Sequence, residues 1–520
     1  MTWEKEVKEI KKREELSLNH GGEDSVRIQH EKGRKTLRER LKLILDKNSF
    51  DEVGKISGNP EYDENGDLRD FTPANFLLGF GKVNDRPIVI GGEDFTLKGG
   101  SPNPAGLRKS IYTEELALKY RIPLVRLHEG GGGSVTGSGG SAKKPKVPSG
   151  DPVFSKNRFQ ALAECLGVLP VATAALGPVA GLPAARLVAS HFSVMTKDSQ
   201  VLIAGPAVVK RALGIDISKE ELGGPDIHLK SGTVDNIADN EEDALNQIKI
   251  FLSYLPDNYL KLPPYIKTAD IKDRIENELI DIIPKDRRKT YNMRKILSLV
   301  LDSNSLFEYG KHYGSSLITG LARLNGESVA VIANDCMIYA GAMTADASMK
   351  LRRFIEFVNT FNLPVISFVD EPGFMIGPES EKAGTIRHGT AAISSLMQSR
   401  VPWASIIVRK VFGVAGGAHF APDSYVLSWP SAETGTLPVE GGVAIAFKKE
   451  IEASEDPDLK RKELENLLMM RSSPFPRAES FSVHELIDPR ETRLKLVNWL
   501  ELAVKSREAN KEIFKTSMLP

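Results

Sequence analysis

The 520-residue chain carries 69 Lys+Arg against 69 Asp+Glu, with 27% charged and 41% apolar residues. A zero balance excludes the global field of a nucleic-acid or anionic-membrane binder, and the length provides for two or three soluble domains with large cores. Cys165 and Cys336, alone and far apart, exclude a disulfide framework and a paired-cysteine zinc site, and point to a reducing compartment.

In chain order, the opening MTWEKEVKEIKKREELSLNH alternates Lys and Glu like a solvated helix. It has neither the apolar core of a signal peptide nor the acid-poor character of a transit peptide. No run reaches 18 apolar residues, and ALGPVAGLPAARLVA is broken by Arg186. The expectation is a soluble cytoplasmic protein, or a mature mitochondrial matrix protein, with no membrane partner and no nucleic acid. RIQHEKGRKTLRERLKLILDKNSF predicts one charged amphipathic helix across residues 24–50, ending near Asp46–Asn48. RPIVIGGEDFTLKGG predicts strand, turn and strand; AGLRKSIYTEELALKYRI a helix; PLVRLHEGGGG a strand running into glycine. Short strands alternating with helices predict an α/β fold. Residues 256–290, Pro-rich and charged, predict a connector with one helix, dividing the chain into domains 1–260 and 261–520.

Across that connector the pattern repeats. At an offset of 241, Gly79 pairs with Gly320, Gly100 with Gly341 and Pro123 with Pro364. At an offset of 232, Pro170 meets Pro402, Gly181 meets Gly413 and Pro206 meets Pro438. Two copies of one α/β domain account for this. Each copy carries a strand that ends in small residues, at Gly181–Leu182 and at Val414–Ala415 within FGVAGGAHF. A lone Gly/Ala run usually serves tight packing or a loop. A strand entering a helix through such a turn, however, leaves backbone N–H groups outward beside a partial positive charge, which suits an oxygen that turns anionic during reaction. Two such turns suggest negative charge passing between two oxygens.

DFTLKGGS, LIAGPAVVKRALGIDISKEELGG, GLARLNGESVAVIAN, FNLPVISFVDEPGFMIG, TIRHGTAAI and ELIDPRETR, with the helix above, resemble the carboxyltransferase β subunits of biotin-dependent acyl-CoA carboxylases, from about residue 21 to 515. The resemblance implies two tandem crotonase-like ββα-spiral domains, an acyl-CoA-side N-terminal one and a biotin-side C-terminal one. It implies carboxyl transfer from carboxybiotin, carried by a biotin carboxylase or biotin carboxyl carrier subunit and not attached to this chain, to an acyl-CoA. The implied route runs through enolates held in two backbone oxyanion holes and needs no metal in this chain and no side-chain base. Gly181 and Leu182, beside Ala180, Gly131, Gly132 and Gly133, are implied on the thioester side. Val414 and Ala415, beside Gly413, Gly416, Gly373 and the Phe374 amide, are implied on the biotin side. Active-site halves from two copies, assembled into a six-copy core, and inactivity alone in ATP-driven carboxylation are implied as well. Where several members read Gly-Gly-Ala, this chain reads Gly181-Leu182-Pro183, and an arginine of the family's Ser-Gly-Gly-Ala-Arg loop is missing from Gly130–Ser134. A decarboxylase or transcarboxylase subunit and a catalytically inactive assembly subunit are the rival readings.

Other residues favour plainer roles. Lys350 in ASMKL reads as a surface helix lysine and not a biotinylation site, and His128–Glu129 as hydrogen-bonding groups at a strand end. His419 has no second ligand at metal spacing, Ile386–Gly389 suits a helix start or a wall of the biotin side, and Asp423 stands near the expected pocket.

Overall fold

The structure, a computed structural model, describes residues 2–133, 157–471, 473–506 and 518. The chain forms two compact units, Met1–Ser253 with Asp257–Tyr259 and Met518–Pro520, and Leu260–Ser517 with Tyr254–Pro256. In unit 1, β1 (Asp51–Glu52) precedes a separate hairpin, β2 (Gly58–Tyr62) and β3 (Leu68–Pro73). Then follow β4 (Phe76–Val83), β5 (Arg86–Glu93), β6 (Leu124–Gly130), β7 (Val171–Ala180), β8 (Phe192–Thr196), β9 (Gln200–Leu202) and β10 (Asn236–Ala238). The sheet runs β1-β4-β5-β6-β7-β8-β10, with β9 also beside β7. Unit 2 contributes β11 (Phe307–Glu308), β12 (Leu317–Leu324), β13 (Glu327–Asn334), β14 (Val365–Glu371), β15 (Trp403–Phe412), β16 (Tyr425–Ser428), β17 (Glu433–Gly435) and β18 (Glu485–Leu486). Its order is β11-β12-β13-β14-β15-β16-β18, with β17 beside β15.

Both sheets are mixed: β4 and β12 pair antiparallel with both neighbours, and the remaining pairs are parallel. Parallel strands covered on both faces need near-continuous apolar runs, which explains why β6 and β14 are buried at every residue. The 241 offset superposes β4 on β12, β5 on β13 and β6 on β14; the 232 offset superposes β7 on β15. Gly100 and Gly341, at φ 68° and 86°, close matching turns that a side chain would crowd against backbone.

The duplication extends to a bulge. Register shifts occur between His128 and Gly130 and between Val369 and Glu371, leaving Glu129 and Asp370 as equivalent buried carboxylates. A buried carboxylate is retained only with a counter-charge. In unit 2 Arg409, on β15, supplies it with Nη2 2.9 Å from Asp370 Oδ2. The position equivalent to Arg409 is Gly177, where any Cβ would stand 2.5 Å from Glu129 Oε1. Glu129 is reached from elsewhere, by Arg40 of the helix Leu37–Ile44, at 2.7 Å. Burial favours neutral Arg40, yet Glu241 and Glu129 outweigh it and raise its pKa.

Four local expectations are corrected. Residues 24–50 form two helices, Glu23–Glu31 and Leu37–Ile44, because Gly33 takes φ 73° and Thr36–Glu39 form a capping box that starts the second. RPIVIGGEDFTLKGG holds one strand, β5; Asp94 then accepts Thr96 N–H at 3.0 Å and turns the chain into a 3-10 turn, Lys98–Gly100. Residues 256–290 hold no α-helix, only the 3-10 turn Asn277–Ile280, in a segment interrupted by Pro263 and Pro264. Lys350 does lie in a helix, Ala345–Thr360, but at 7% exposure, with Nζ donating to Leu317 O at 2.6 Å. It is a buried brace between helix and sheet. The opening segment is an exposed helix, Glu4–Ser17. Among the described residues no helix is long and apolar enough to cross a membrane.

Candidate active site

In unit 1, β7 ends at Ala180 and Gly181 bends the chain at φ 66°, ψ −127° into the helix Leu182–Val188. That bend lies where only glycine is unstrained. The Gly181 N–H donates to Leu202 O at 3.3 Å, and its carbonyl accepts Ala185 N–H at 3.0 Å. Gly181 therefore supplies the bend, and the outward donors are the first-turn amides of Leu182 and Ala184. Pro183 fits the second helix position, where a proline costs only one unpaired N–H. The glycine loop after β6 lies against this turn: a Cβ on Gly132 would stand 3.3 Å from Gly181 Cα. Gly131 N–H is spent on Gly99 O at 3.0 Å, and Gly133 is exposed. The structure thus brings Gly131, Gly132, Ala180, Gly181 and Leu182 together. Ser134 and the 134–150 stretch with SAKKPK lie outside the described residues.

Buried ions hold the turn in place. Arg186, on its helix, meets Glu114 Oε1 through Nε at 2.9 Å and Ser110 Oγ through Nη1 at 3.0 Å. Arg126 on β6 also pairs with Glu114; burial and the neighbouring Arg186 push its pKa down to about 9. His128 Nδ1 lies 3.1 Å from Glu93, and burial lowers its pKa, so the imidazole is neutral and donates to the carboxylate. Glu129 accepts from Gln29 Nε2 at 2.7 Å, besides Arg40 and Arg34, the latter with Nη1 at 3.3 Å. His128 and Glu129 are structural groups, as expected. Arg186 was visible in sequence only as an interruption of an apolar run; that interruption was the signal. Beside β7 opens a cavity of about 570 Å³, lined by Lys32, Arg34, Phe95, Pro178, Asp198, Gln200, Lys219 and Glu220.

In unit 2, β15 ends at Phe412 and Gly413 bends at φ 61° into the short helix Gly413–Gly416, followed by the 3-10 turn Gly417–His419. Val414 is 67% exposed and Ala415 fully buried, yet both amides belong to the unpaired first turn. On the next strand's loop, Met343 N–H donates to Gly373 O at 3.1 Å and Met375 N–H to Met343 O at 2.9 Å. That parallel bridge turns the Phe374 amide to the opposite side. The Phe374 ring rests on Gly389, where a Cβ would stand 2.2 Å from the ring, so the Ile386–Gly389 motif seats Phe374 within the helix Thr385–Leu396. Gly373, at φ 128°, and Gly417 have nothing within 4 Å of a Cβ, which leaves the space beside them open. Gly416 packs on Val411. His419 is buried against Ser367 and Glu371; burial raises the Glu371 pKa, partly countered by His419, Gly373 and Asn334. No group of metal-ligating side chains occurs among the described residues. Asp423 lies exposed at φ 57°.

Residues 28–516 match the carboxyl transferase domain family. The chain is 32% identical to the propionyl-CoA carboxylase carboxyltransferase subunit of Haloferax mediterranei, covering 98% of each chain. It is 31% identical to the methylmalonyl-CoA decarboxylase subunit alpha of Veillonella parvula, covering 94% of each. Among solved structures it resembles transcarboxylase 12S, a hexamer with methylmalonyl-CoA and methylmalonic acid bound, at TM-score 0.88 and 30% identity, covering 100% of this chain and 98% of that one. The duplicated mixed sheets and a match of this length together place the chain in the carboxyl transferase domain family, as a carboxyltransferase subunit of the biotin-dependent acyl-CoA carboxylases.

Proposed function

We propose that the chain moves a carboxyl group between carboxybiotin, borne by a partner subunit, and an acyl-CoA, with the thioester at the unit 1 turn and the ureido ring at the unit 2 turn. The observation that carries this reading is the pair of equivalent glycine bends, at φ 66° and 61°, each opening a helix whose first amides are unspent. Carboxybiotin, when bound, would supply the CO2 and a ureido group able to accept the substrate proton, which leaves this chain the task of holding charge. The Leu182 amide would hold the thioester oxygen as charge develops on it, Val414 and Ala415 would hold the ureido oxygen, and the Phe374 amide would meet a ring nitrogen. Each such donor is worth roughly 3 kcal/mol of transition-state stabilisation. Pro183 leaves the Leu182 donor intact, which supports a working subunit over an inactive one. The halves act across two copies in a six-copy core, as the hexameric relative suggests, inside a reducing compartment that suits two buried free cysteines.

Two experiments address this. The purified chain, given free biotin and methylmalonyl-CoA, should release CO2 only when biotin is present; a folded oligomer inert toward every acyl-CoA tried would favour the assembly role. Ala415→Pro should fold, since unit 1 already carries proline at the equivalent Pro183, and should lower kcat on the order of 10²-fold by deleting one donor. Wild-type turnover in this variant would remove Ala415 from the hole.

The cavity beside β7 suits the anionic handle of the same substrate. Lys32, Arg34, Lys219 and the Phe95 ring line it next to the strand that ends at Gly181; Arg34 pairs with Asp198 and Lys219 with Glu220, which leaves Lys32 as the cation for a ligand. Lys32→Glu should raise KM for acyl-CoA about tenfold with kcat unchanged, since each surface pair contributes up to about 1 kcal/mol and reversal adds repulsion. The difference should shrink as salt is added. Steady-state kinetics at two ionic strengths check it.

A further inference from the structure

In unit 2 one buried carboxylate ties the two donor turns together. Glu371, the last residue of β14, accepts the Gly373 N–H on Oε1 at 2.9 Å. Its Oε2 accepts from Asn334 Nδ2 at 3.0 Å and faces His419 Nε2 at 3.4 Å. His419 ends the helical segment that begins at Gly413. Its Nδ1 lies 3.0 Å from Ser367 Oγ, and its carbonyl accepts from Trp403 Nε1 at 2.9 Å and Ser405 Oγ at 2.7 Å. Glu371, His419 and Ser367 are each 0% exposed. Ser, His and Glu in a row also spell a nucleophile, base and acid, but Ser367 sits inside the ladder opposite Ser405, where no substrate reaches its Oγ.

The clamp exists in one copy only. At the positions equivalent to Glu371, His419, Ser367 and Asn334, unit 1 carries Gly130, Leu187, Arg126 and Glu93. A polar network fully satisfied in a dry interior rigidifies what it joins. What this one joins is the loop presenting the Phe374 amide and the turn presenting Val414 and Ala415.

We propose that Glu371 and His419 are positioning residues for biotin, holding the Phe374 amide and the Val414–Ala415 turn at one fixed separation. The inference rests on the reading of unit 2 as the biotin side. A displacement near 1 Å at a reacting centre costs on the order of 10²-fold in rate. Glu371→Met, which fills the space but accepts nothing, should therefore raise KM for free biotin and lower kcat, in total on the order of 10²-fold in kcat/KM. Its KM for acyl-CoA should stay within about twofold, since unit 1 is untouched. Glu371→Gln, whose amide oxygen still accepts the Gly373 N–H, should recover most of that loss. If Glu371→Met does not fold, Glu371→Asp carries the test, because it keeps the charge and draws it back from Gly373. Biotin-dependent decarboxylation by the intact oligomer, with circular dichroism as the fold control, reads all three. A folded variant in which neither KM nor kcat moves overturns the positioning role. A rise confined to the acyl-CoA KM upholds the clamp and overturns the assignment of unit 2 to biotin.

Discussion

Gly181→Val is expected to abolish carboxyl transfer while leaving a folded protein. At φ 66°, ψ −127° the backbone of Gly181 is open to glycine alone, and a Cβ there would stand 2.9 Å from Gly132 Cα. Neither atom is the end of a flexible side chain, so the bend itself must open. Conformational strain of this kind costs about 1–3 kcal/mol, which a large domain absorbs. The helix that begins at Leu182 then re-aims its first amide, and losing one oxyanion donor lowers kcat by about 10²–10³-fold. Gly214→Ala is the matched control: φ 72° gives similar backbone strain, with nothing within 4 Å of the new Cβ and no part in the turn. It should lose about 1 kcal/mol of stability at unchanged turnover. Steady-state rates with circular dichroism decide the comparison, and a Gly181→Val enzyme at more than half the wild-type rate would exclude this turn from the reaction.

The largest stability effect belongs to Arg40→Leu. Arg40 is 1% exposed and holds Glu129 at 2.7 Å, Glu241 at 2.7 Å and the Leu176 carbonyl at 3.2 Å. Removing it leaves buried Glu241 with the Lys35 N–H at 3.3 Å and Glu129 with Arg34 at 3.3 Å and Gln29 at 2.7 Å, and breaking a buried pair in this way costs about 3–5 kcal/mol. Burial already raises the pKa of Glu129 against the pull of Arg40 and Arg34, and losing Arg40 raises it further. The sign follows from proton counting. Such a carboxyl binds a proton in the folded state at pH values where the unfolded chain has released it, so the variant loses stability as pH rises above the ordinary carboxylate range. The deficit against wild type should be largest near pH 8 and smaller near pH 5. Denaturant melts at both values, read on the first transition, check it; an equal deficit at both would mean that Glu129 does not titrate.

Much of this was legible before any coordinates. The duplication could be read because glycines and prolines mark the few positions where backbone geometry or close approach admits nothing else, as at Gly100 and Gly341 or Gly181 and Gly413. Helix limits fared worse: the amphipathic pattern of residues 24–50 runs straight through Gly33 and Thr36, and only the T-x-x-E spacing announces a new start. Lys350 was misjudged because helical periodicity assigns a face and says nothing of a lysine whose amine meets a carbonyl 33 residues away. The Glu371–His419 clamp was invisible for a related reason. Its members stand 48 residues apart, in two quoted segments, FNLPVISFVDEPGFMIG and FGVAGGAHF, whose sequences say nothing of one meeting the other. Contacts of that span become visible only once β14 and β15 are paired.

The two bulge carboxylates differ in when their counter-charges become available. Arg409 is carried by the strand that pairs with Asp370, so in unit 2 charge and neutralising partner are seated in one pairing event. Glu129 depends on Arg40, which leaves the ribosome well before it. Arg40 and Arg34 are therefore both synthesised before the strand whose charge they neutralise, whereas Arg409 follows Asp370 on the very next strand of the sheet.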